Sequence, residues 1–385
     1  MEQLKKVYLS LGSNLGNKLK NLQLALFAIN KEVGNVSKVS HVYWSPSWGF
    51  ESNDFFNACI EVRTKLYPNK ILEAILDIET HLGRKRNAEE GYIARTIDID
   101  ILYYEREVVS LDTLQIPHPN LQLRRFVLKP LADIAPQFYH PILEKDTRNL
   151  LQECRDKGKP TKIEGKLFQN KQQLFSHIDF MAIEGNIGAG KTTLAKKIAQ
   201  DFNAKLVLER FADNPFLPKF YEDKGRYAFP LEMSFLADRY QQFTDDTSQF
   251  DLFKNFMVSD YDIYKSLIFA KVTLQEDEYG LYRKLFTLMY KEVKKPKIYV
   301  YLYQNTERLL ANIKKRGRDY ERNITPEYLE RINRGYLDFI KSYPEQNNLI
   351  IDANNLDFVE NPKDYDLILD EIQDFALELP FYHKF

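Results

Sequence analysis

The stretch that decides the fold of the second half of this chain is Gly185-Asn186-Ile187-Gly188-Ala189-Gly190-Lys191-Thr192-Thr193. An apolar run ends just before it at Ile183, and a helical pattern at residues 194–198 follows, so the stretch marks a turn from a strand into a helix. Its glycines allow the backbone to fold around an anion, and the helix N-terminus adds partial positive charge. The four fixed positions should match by accident in only about one chain per hundred of this length.

We therefore predict a phosphate-binding loop that holds a nucleoside triphosphate. In such a loop Lys191 reaches the outer phosphates and the Thr192 hydroxyl ligates Mg2+. The residues that we expect to bind the nucleotide are Gly185, Asn186, Gly188, Gly190, Lys191, Thr192 and Thr193.

The length of 385 residues exceeds the size at which one hydrophobic core usually stops growing, so two domains are expected. A polar, basic stretch without periodicity lies between about residues 152 and 176. We predict a first domain at residues 1–157, a linker at 158–177 and a second domain at 178–385, which the phosphate loop opens.

The composition restricts the environment and the partners. The 54 basic and 55 acidic residues nearly cancel, which argues against a broad basic surface for nucleic acid. Only two cysteines, Cys59 and Cys154, are present, which favours a reducing compartment. No apolar stretch approaches the roughly 18 residues of a membrane span, and the first residues do not form a secretory signal. We expect a cytoplasmic protein with small-molecule substrates and no membrane or nucleic-acid partner.

Hydrophobic periodicity predicts an α/β protein whose halves differ in architecture. The first half alternates strands and helices as in an α+β sandwich, with strands at 7–11, 56–62 and 96–103 and helices at 19–29 and 70–82. The second half has the order of a parallel sheet wrapped by helices, with strands at 180–183, 204–208, 297–302 and 349–351, helical stretches through 230–294 and an amphipathic helix at 363–379.

A pair of aspartates in the first half predicts a metal site. On a strand, Asp98 and Asp100 share one face at a spacing of about 6.6 Å, while the isoleucines between them enter the core. Two convergent carboxylates suit Mg2+ that carries nucleotide phosphates. Alone, the alternation fits a solvated strand face equally well. The nearby cations at residues 83–86 and at Arg95 favour a phosphate site, because phosphate transfer needs both metal and guanidinium groups.

Six motifs of the first half, in this order, resemble the 6-hydroxymethyl-7,8-dihydropterin pyrophosphokinase family over roughly residues 5–157. They are Leu11-Gly-Ser-Asn-Leu-Gly16, Asp54-Phe-Phe-Asn57-Ala58, Glu79 with Gly83-Arg84-Lys85-Arg86, Arg95-Thr-Ile-Asp98-Ile-Asp100, Ile116-Pro-His118-Pro119 and Arg124-Arg-Phe126-Val-Leu-Lys-Pro130-Leu131. This family transfers the β,γ-pyrophosphoryl group of ATP to the pterin hydroxymethyl group, an early step of folate synthesis. The resemblance implies a ferredoxin-like α+β sandwich for this domain.

The same resemblance implies a role for each matching residue. Asp98 and Asp100 would hold two Mg2+ ions. The residues that would bind ATP and its phosphates are Arg84, Arg95, Glu79, His118 and Arg124. Those that would bind the pterin are Phe55 and Phe126, which would sandwich the ring, and Asn57, which would read its edge. Core packing is the alternative role for both phenylalanines.

One departure from this family lies just before Arg95. The family usually has Arg-Trp-Gly-Pro there, whereas this chain has Glu90-Gly-Tyr-Ile-Ala94. We therefore expect the closure of the active-site loop to differ in detail, with the metal site retained.

In the second half, Glu209 lies at the end of a predicted strand, where parallel sheets bind their ligands. A carboxylate there can accept a proton from an attacking hydroxyl, although a surface glutamate is the simpler interpretation of this residue alone.

Several motifs of the second half resemble the deoxyribonucleoside kinases, over nearly all of residues 178–385. They are residues 184–193, Leu208-Glu209-Arg210, Asp213-Asn-Pro-Phe-Leu217, Phe220-Tyr221-Glu-Asp223, Phe229-Pro-Leu-Glu232, Asp238-Arg239, Lys315-Arg316-Gly-Arg318-Asp-Tyr-Glu321 and Tyr328-Leu329. The resemblance implies a P-loop kinase that uses ATP and pairs through helices as a homodimer.

By this resemblance Glu209 is the general base for the 5'-hydroxyl, and Arg316 and Arg318 belong to a lid that closes on the phosphates. The residues that would bind the deoxynucleoside are Tyr221 and Glu321 at the 3'-hydroxyl, with Glu232 and Arg239. Glu232 stands where the family often has glutamine. Because a carboxylate only accepts hydrogen bonds, it suits the N1–H and amino donors of guanine better than adenine, which favours a purine substrate.

A second departure is Ser259-Asp260-Tyr261, where these kinases usually carry Asp-Arg-Ser. The missing arginine removes a cation expected near the transferring phosphoryl group, and Lys265 and Arg239 are the candidates to replace it.

Three hypotheses for the second half follow. It is a deoxynucleoside kinase fused to the pyrophosphokinase, or a non-catalytic nucleotide-binding module that regulates the first half, or a P-loop kinase of another small hydroxylated substrate.

Overall fold

The computed structural model describes residues 4–48, 52–84, 94–210, 214–248, 253–379 and 382. The chain divides into two compact units, one of Met1–Gln173 with Leu377–Phe385 and one of Leu174–Ala376. The predicted departure at residues 90–94 and part of the basic motif at 83–86 lie largely outside the described residues.

The elements of the first unit are β1 (Lys5–Ser13), α1 (Lys18–Glu32), β2 (Asn35–Val39), β3 (Tyr43–Ser45), β4 (Phe55–Thr64), α2 (Pro68–His81), β5 (Asp98–Tyr104), β6 (Val109–Leu111), β7 (Leu114–Ile116), α3 (Arg125–Ile134), α4 (Thr147–Glu153) and β8 (Thr161–Lys162). Its main sheet is antiparallel with the order β5-β1-β4-β3-β8, and β2 also pairs with β4. The predicted α+β sandwich is confirmed.

One face of this sheet carries the polar residues of the predicted site. In β1, β4 and β5 the side chains of Tyr8, Cys59 and Leu102 pack with the apolar residues of α3. The same alternation places Asp98 and Asp100 on this face, opposite Gly12 and Ser10 of β1. The site therefore forms at the N-terminal end of α3, where the apolar packing between this helix and the sheet stops.

The remaining elements are α5 (Lys171–Ser176), β9 (Phe180–Gly185), α6 (Lys191–Asp201), β10 (Lys205–Val207), α7 (Leu217–Glu222), α8 (Lys224–Ser248), β11 (Met257–Ser259), α9 (Lys265–Thr273), α10 (Glu276–Tyr290), β12 (Ile298–Tyr303), α11 (Thr306–Arg316), α12 (Pro326–Ser342), β13 (Asn348–Asp352) and α13 (Pro362–Glu378). The sheet of the second unit is parallel with the order β10-β11-β9-β12-β13, which confirms the predicted architecture.

Two segments differ from the sequence-based predictions. Strand β11 lies inside the stretch predicted to be helical, and its three fully buried residues are too few to show a strand period. The stretch predicted as a linker contains β8, which pairs with β3, and the buried residues Leu167 and Phe168. The polar composition of this stretch concealed these few apolar anchors.

The parallel order of the second sheet brings three loops together. Strands β10, β11 and β9 are neighbours, so the loops at their carboxyl ends open at the same edge. Glu209 follows β10, Asp260 follows β11, and the predicted phosphate loop follows β9. Within the described ranges, none of the helices is long and apolar enough to cross a bilayer.

The turn between α1 and β2 depends on Gly34. A methyl group at this position would lie 2.4 Å from the Arg63 carbonyl oxygen, and φ is +157°. We predict that Gly34→Ala lowers the free energy of unfolding of the first unit by about 2 kcal/mol. Tryptophan fluorescence during urea unfolding measures this change, because both tryptophans of the chain, Trp44 and Trp48, belong to that unit.

Gly16 provides the matched control for this prediction. Its φ is +62°, but a methyl group there would meet nothing within 4 Å, so Gly16→Ala should cost only about 1 kcal/mol of backbone strain. Equal losses in the two variants would contradict the steric argument for Gly34.

Candidate active sites

The two predicted metal-binding aspartates of the first unit share one face of β5. Asp98 and Asp100 are partly exposed, whereas Ile97, Ile99 and Ile101 are buried, as the strand period predicts. Burial and the neighbouring Asp98 charge raise the pKa of Asp100 above its ordinary value. The pair thus concentrates negative charge where a cation can neutralise it.

Three predicted phosphate-binding arginines converge on these aspartates. Arg84 and Arg95 each place a guanidinium nitrogen 2.8 Å from Asp98 Oδ1. Arg124 lies 3.4 Å from Asp100 Oδ2. The structure therefore brings the aspartates and arginines into one cluster, in which a metal and phosphate groups would find both signs of charge.

Two further predicted ATP contacts, Glu79 and His118, lie at the edge of this cluster. The buried Glu79 carboxylate accepts hydrogen bonds from Arg84 and, at 2.8 Å, from the backbone N–H of Ile99. It therefore anchors β5 to α2. Burial and the Arg124 charge lower the pKa of His118 to about 4, so its imidazole, 3.9 Å from Asp100, is neutral at pH 7.

The predicted pterin-binding residues line a cavity beside the aspartates. A methyl group at Gly12 would lie 3.4 Å from Asn57 Oδ1 and 3.8 Å from the Phe55 ring, so this glycine opens the cavity floor. Asn57 is buried and donates a 2.9 Å hydrogen bond to Ser45. Phe126 lines the same cavity, as do Asp98, Asp100, Arg95 and Arg124.

Sequence analysis missed a further aromatic residue of this cavity. Trp48 lies with its ring centroid 6.2 Å from that of Phe126, and the Arg124 guanidinium lies 5.6 Å from the Trp48 ring. The sequence carried no signal for this role, because exposure is visible only in the structure and Trp44, the other tryptophan of the chain, is equally exposed.

The predicted phosphate loop of the second unit has the required backbone. It joins the central strand β9 to α6, and Gly188 and Gly190 have φ values of +87° and +86°. A methyl group at Gly190 would lie 2.7 Å from the Phe358 ring, and one at Gly188 would lie 2.9 Å from Ile313. Gly185, with φ +156°, ends β9, and Thr193 continues the first turn of α6. Only glycine fits the two inner positions.

Asn186 supports the loop from behind. It is fully buried, donates 2.8 Å hydrogen bonds to Leu329 and Asn333, and accepts one from Ile187. These bonds fix the side chain of Asn186 and support the loop backbone, and a contact of Asn186 with the nucleotide stays a prediction.

Two polar side chains of α6 face the same cavity as Glu209. Lys191 Nζ donates a 2.8 Å hydrogen bond to the Asn186 carbonyl, and burial with the nearby Lys265 charge lowers the pKa of Lys191 to about 8. The Thr192 hydroxyl donates to the Asp260 carboxylate, and Asp260 also accepts a 2.8 Å hydrogen bond from the Glu209 backbone N–H. Asp260 is buried. The sequence predicted no role for it and drew attention only to Ser259-Asp260-Tyr261 as a departure from the usual Asp-Arg-Ser.

Both sites offer oxygen ligands that suit Mg2+. The first has the Asp98 and Asp100 carboxylates, and the second has the Thr192 hydroxyl beside the Asp260 carboxylate. Among the described residues, no group of three or more His, Cys, Asp and Glu side chains could hold a metal ion. A pair of oxygen ligands fits an ion that completes its shell with nucleotide phosphates and water.

Glu209 is bound on both carboxylate oxygens by buried cations. Arg239 donates to Oε1 from Nη2 at 2.6 Å and from Nε at 3.0 Å, and Lys265 Nζ lies 2.6 Å from Oε2. Burial alone would raise the pKa of Glu209, yet Lys265 and Arg239 hold it well below its ordinary value. The carboxylate is therefore ionised and can accept a proton.

Glu232 lies two helical turns before Arg239 on the same face of α8. It is buried, and its Oε1 accepts a 3.0 Å hydrogen bond from the Thr273 hydroxyl. Within the described structure its Oε2 has no hydrogen-bond partner. Burial raises the pKa of Glu232 to about 7 against the opposing Arg239 charge. An acceptor oxygen in this position is able to take a hydrogen bond from a donor of a ligand in the cavity.

The predicted lid and sugar-binding residues face this cavity as well. Arg316 Nη2 lies 2.6 Å from Glu321 Oε1, and Arg318 Nη1 lies 3.4 Å from the same oxygen. The buried Glu321 and the partly buried Tyr221 line the cavity together with the phosphate loop. Most of the predicted residues of the second site therefore border one cavity. The exceptions are the loop residues Gly185, Asn186, Gly190 and Thr193.

Helix α9 supplies two site residues that sequence analysis did not assign, Phe269 and Thr273, beside Lys265, which it named as a candidate to replace the missing arginine. Lys265, Phe269 and Thr273 recur every four residues and so share the face that lines the site or contacts Glu232. The i, i+4 spacing was visible, but the three residue types differ and form no recognisable motif.

The two folds and sites define a chain of two phosphotransferase units. The 7,8-dihydro-6-hydroxymethylpterin-pyrophosphokinase family matches residues 8–136, and the deoxynucleoside kinase family matches residues 181–377. The chain belongs to both families, the first through its N-terminal unit and the second through its C-terminal unit. Kinases of these families use ATP as the phosphate donor.

Individual relatives resemble one half each. Deoxyguanosine kinase of Bacillus subtilis is 38% identical over 202 residues, which cover 51% of this chain and 98% of that protein. The 2-amino-4-hydroxy-6-hydroxymethyldihydropteridine pyrophosphokinase of Porphyromonas gingivalis is 43% identical over 147 residues, or 37% of this chain and 98% of that protein. A solved structure of deoxyadenosine kinase from M. mycoides with dCMP and dCDP is 25% identical and covers 50% of this chain and 98% of its own, with a TM-score of 0.44.

Proposed function

We propose that the chain is a bifunctional enzyme of folate synthesis and deoxynucleotide salvage. The first unit transfers the β,γ-pyrophosphoryl group of ATP to 6-hydroxymethyl-7,8-dihydropterin, and the second transfers the γ-phosphoryl group of ATP to the 5'-hydroxyl of a purine deoxynucleoside. The observation that carries the second activity is an ionised, partly buried glutamate that shares a cavity with a phosphate loop. The combination of an aspartate pair, arginines and an aromatic cavity carries the first.

In the second unit, Glu209 serves as the general base. The 5'-hydroxyl oxygen attacks the γ-phosphorus and forms a new P–O bond, while its proton passes to the Glu209 carboxylate. The bond from the γ-phosphorus to the β,γ-bridging oxygen breaks, and its electron pair leaves with ADP. Lys191 holds the phosphates, Arg316 and Arg318 close over them, and Tyr221 and Glu321 orient the sugar through its 3'-hydroxyl.

In the first unit, the cavity orients the pterin and the charges position ATP. Phe55 and Phe126 enclose the ring, Asn57 reads its edge, and Arg84 and Arg95 neutralise the phosphates. The hydroxymethyl oxygen attacks the β-phosphorus and gives up its proton to water, while the bond from the β-phosphorus to the α,β-bridging oxygen breaks and AMP leaves with its electron pair. His118, Arg124 and Glu79 complete the ATP side of the site.

Mg2+ fits both sites as an additional component. Asp98 and Asp100 would hold it in the first unit, and Thr192 with Asp260 would hold it in the second. When bound, the ion neutralises phosphate charge and so lowers the barrier to transfer.

Base choice in the second unit rests on Glu232. Guanine presents two adjacent donors, N1–H and the 2-amino group, and a carboxylate offers only acceptors. The Oε2 atom that lacks a hydrogen-bond partner within the described structure suits such a donor. The relative from Bacillus subtilis that is named a deoxyguanosine kinase supports the same choice.

We also propose a cytoplasmic homodimer joined through the second unit. The exposed residues Leu281 and Leu288 of α10 are seven positions apart and so lie on one side of this helix. Sedimentation of the full chain as a single copy would reject this assembly.

We predict that Glu232→Gln shifts base preference from deoxyguanosine towards deoxyadenosine. The carboxamide keeps one acceptor but adds a donor, which repels the N1–H of guanine and matches N1 of adenine. The kcat/KM ratio of deoxyguanosine to deoxyadenosine should fall by about 100-fold. Thr273→Val is the control, since it removes the partner of Oε1 and leaves Oε2 unchanged. An unchanged ratio in Glu232→Gln would contradict the assignment.

The raised pKa of Glu232, about 7, predicts pH-dependent binding of deoxyguanosine. Above this pH the carboxylate is ionised and accepts both guanine donors, whereas below it the proton removes one acceptor. The dissociation constant, measured by calorimetry without ATP, should fall by about tenfold from pH 6 to pH 8. The other charged or titratable groups near Glu232 are Arg239, Lys265, Glu209, Tyr282 and Tyr328. A pH dependence that persists in Glu232→Gln would assign it to one of these.

We predict that Asp98→Asn abolishes AMP release from ATP with the pterin and leaves deoxynucleoside phosphorylation intact. The substitution removes one carboxylate of the pair while keeping its size. Both activities are measured on the same full-length protein, and tryptophan fluorescence from Trp44 and Trp48 checks the folding of the first unit, which contains Asp98. Pyrophosphoryl transfer at the wild-type rate would refute the metal assignment.

The same deoxynucleoside assay separates the rival functions of the second unit. Nucleotide binding without turnover of any of the four deoxynucleosides would favour a regulatory module. Turnover of a sugar or another hydroxylated compound alone would favour a different kinase.

A further inference from the structure

The side chain of Tyr261 points away from the second active site. It is fully buried, and its ring lies edge-on to Phe243, with centroids 5.0 Å apart, within the hydrophobic core. The residue that follows Asp260 therefore adds packing to the core and no charge to the cavity. A cation for the phosphoryl group must come from another position.

Lys265 places an ammonium group at the required location. It is the first residue of α9 and is buried, and it borders the same cavity as Lys191, Thr192 and Glu209. Its Nζ lies 2.6 Å from Glu209 Oε2, the oxygen opposite the one that Arg239 binds. The Lys265 charge thus contacts the predicted proton acceptor and shares one cavity with the phosphate loop.

Arg239 is less suited to this task because its donors are already used. Its Nε and Nη2 bind Glu209, its Nη1 donates a 2.7 Å hydrogen bond to Ser266, and its guanidinium lies 4.8 Å from the Phe235 ring. A planar guanidinium fixed on these sides cannot turn towards the phosphate loop. A lysine ammonium carries three rotatable donors on a flexible stem. Within the described structure, Glu209 is the hydrogen-bond partner of Lys265 Nζ.

We infer that Lys265 is a catalytic residue of the second unit, which stabilises the phosphoryl group in transit as Glu209 takes up the proton of the attacking hydroxyl. The inference rests on the proposed kinase function of that unit. It assigns to Lys265 the positive charge that the chain does not supply at position 261.

The chemistry couples the two events. In the ground state, Lys265 and Arg239 together neutralise the Glu209 carboxylate. As the hydroxyl oxygen bonds to the γ-phosphorus, its proton moves to Glu209 and cancels the negative charge there. Lys265 then loses its strongest partner, while charge redistributes over the phosphoryl oxygens and the departing ADP. An ammonium group in a buried cavity is worth most to such charge when it needs no large movement to reach it.

Lys265→Met tests this inference, because methionine keeps the length and apolar stem of the side chain and removes the charge. We expect kcat for the deoxynucleoside to fall by about 100-fold or more, with KM values for ATP and the deoxynucleoside within about threefold of wild type. Lys265→Arg should retain kcat within about tenfold of wild type, since it restores a cation. Lys271→Met is the matched control on the exposed side of the same helix and should leave kcat unchanged.

A double-mutant cycle separates catalysis from mere support of Glu209. If Lys265 only positions the carboxylate, Lys265→Met should have no further effect in a Glu209→Gln background, and the inference would be overturned. If Lys265 also stabilises the phosphoryl group, the double variant should turn over at least about tenfold more slowly than Glu209→Gln alone. Lys265→Gln provides a second neutral variant for the same cycle should the methionine variant fail to fold.

The outcomes also distinguish this inference from the proposed function. Absence of deoxynucleoside phosphorylation by the wild-type chain would overturn both. An active wild type with an equally active Lys265→Met would overturn the inference alone. A loss confined to KM would overturn it too, because it would show that Lys265 serves substrate binding rather than transfer.

Discussion

The second unit depends on a carboxylate held between two buried cations. Glu209 follows β10, Arg239 belongs to α8, and Lys265 begins α9, so one charged cluster joins a strand end to two helices. Removing one partner of such a cluster strands a buried charge and costs about 3–5 kcal/mol, although a complete buried ion pair adds little net stability. The cluster is therefore better understood as a device that fixes geometry. It holds the proposed proton acceptor in the cavity that the predicted phosphate loop also lines.

The first unit also combines carboxylates with cations, but in a different arrangement. Asp98 and Asp100 are also flanked by arginines, but they are partly exposed and share a strand face with each other. Mutual repulsion and burial raise the pKa of Asp100, whereas paired cations lower that of Glu209. Two adjacent carboxylates attract a divalent ion, and one carboxylate between two cations stays ionised as a base. The charges that surround each carboxylate thus fit the two proposed roles, metal ligand for Asp98 and Asp100 and proton acceptor for Glu209.

Sequence reasoning succeeded where a short motif fixes both backbone and chemistry. The phosphate loop is recognisable because glycine is required at Gly188 and Gly190, and the aspartate pair is recognisable because a strand has period two. Sequence reasoning failed where the position of a residue depends on tertiary contacts. Asp260 reaches Thr192 only because β11 lies beside β9, and β11 is too short to be predicted. The side chain of Asn186, whose contact with nucleotide stays a prediction, bonds to Leu329 and Asn333 of α12, a contact between residues far apart in sequence that no motif reveals.

Two buried glutamates of one helix-lined cavity show how environment divides roles between identical side chains. Glu209 has a cation on each oxygen and a lowered pKa, while Glu232 has only the Thr273 hydroxyl and a pKa raised to about 7. Arg239 lies on the same helix face as Glu232, but its guanidinium donates hydrogen bonds to Glu209 and Ser266. Opposite shifts of this kind match the roles proposed for the two residues, proton transfer for Glu209 and recognition of the base for Glu232. Because Arg239 and Lys265 both bind Glu209, the proposed recognition residue Glu232 remains sensitive to the hydrogen-bonding pattern of the ligand that it contacts.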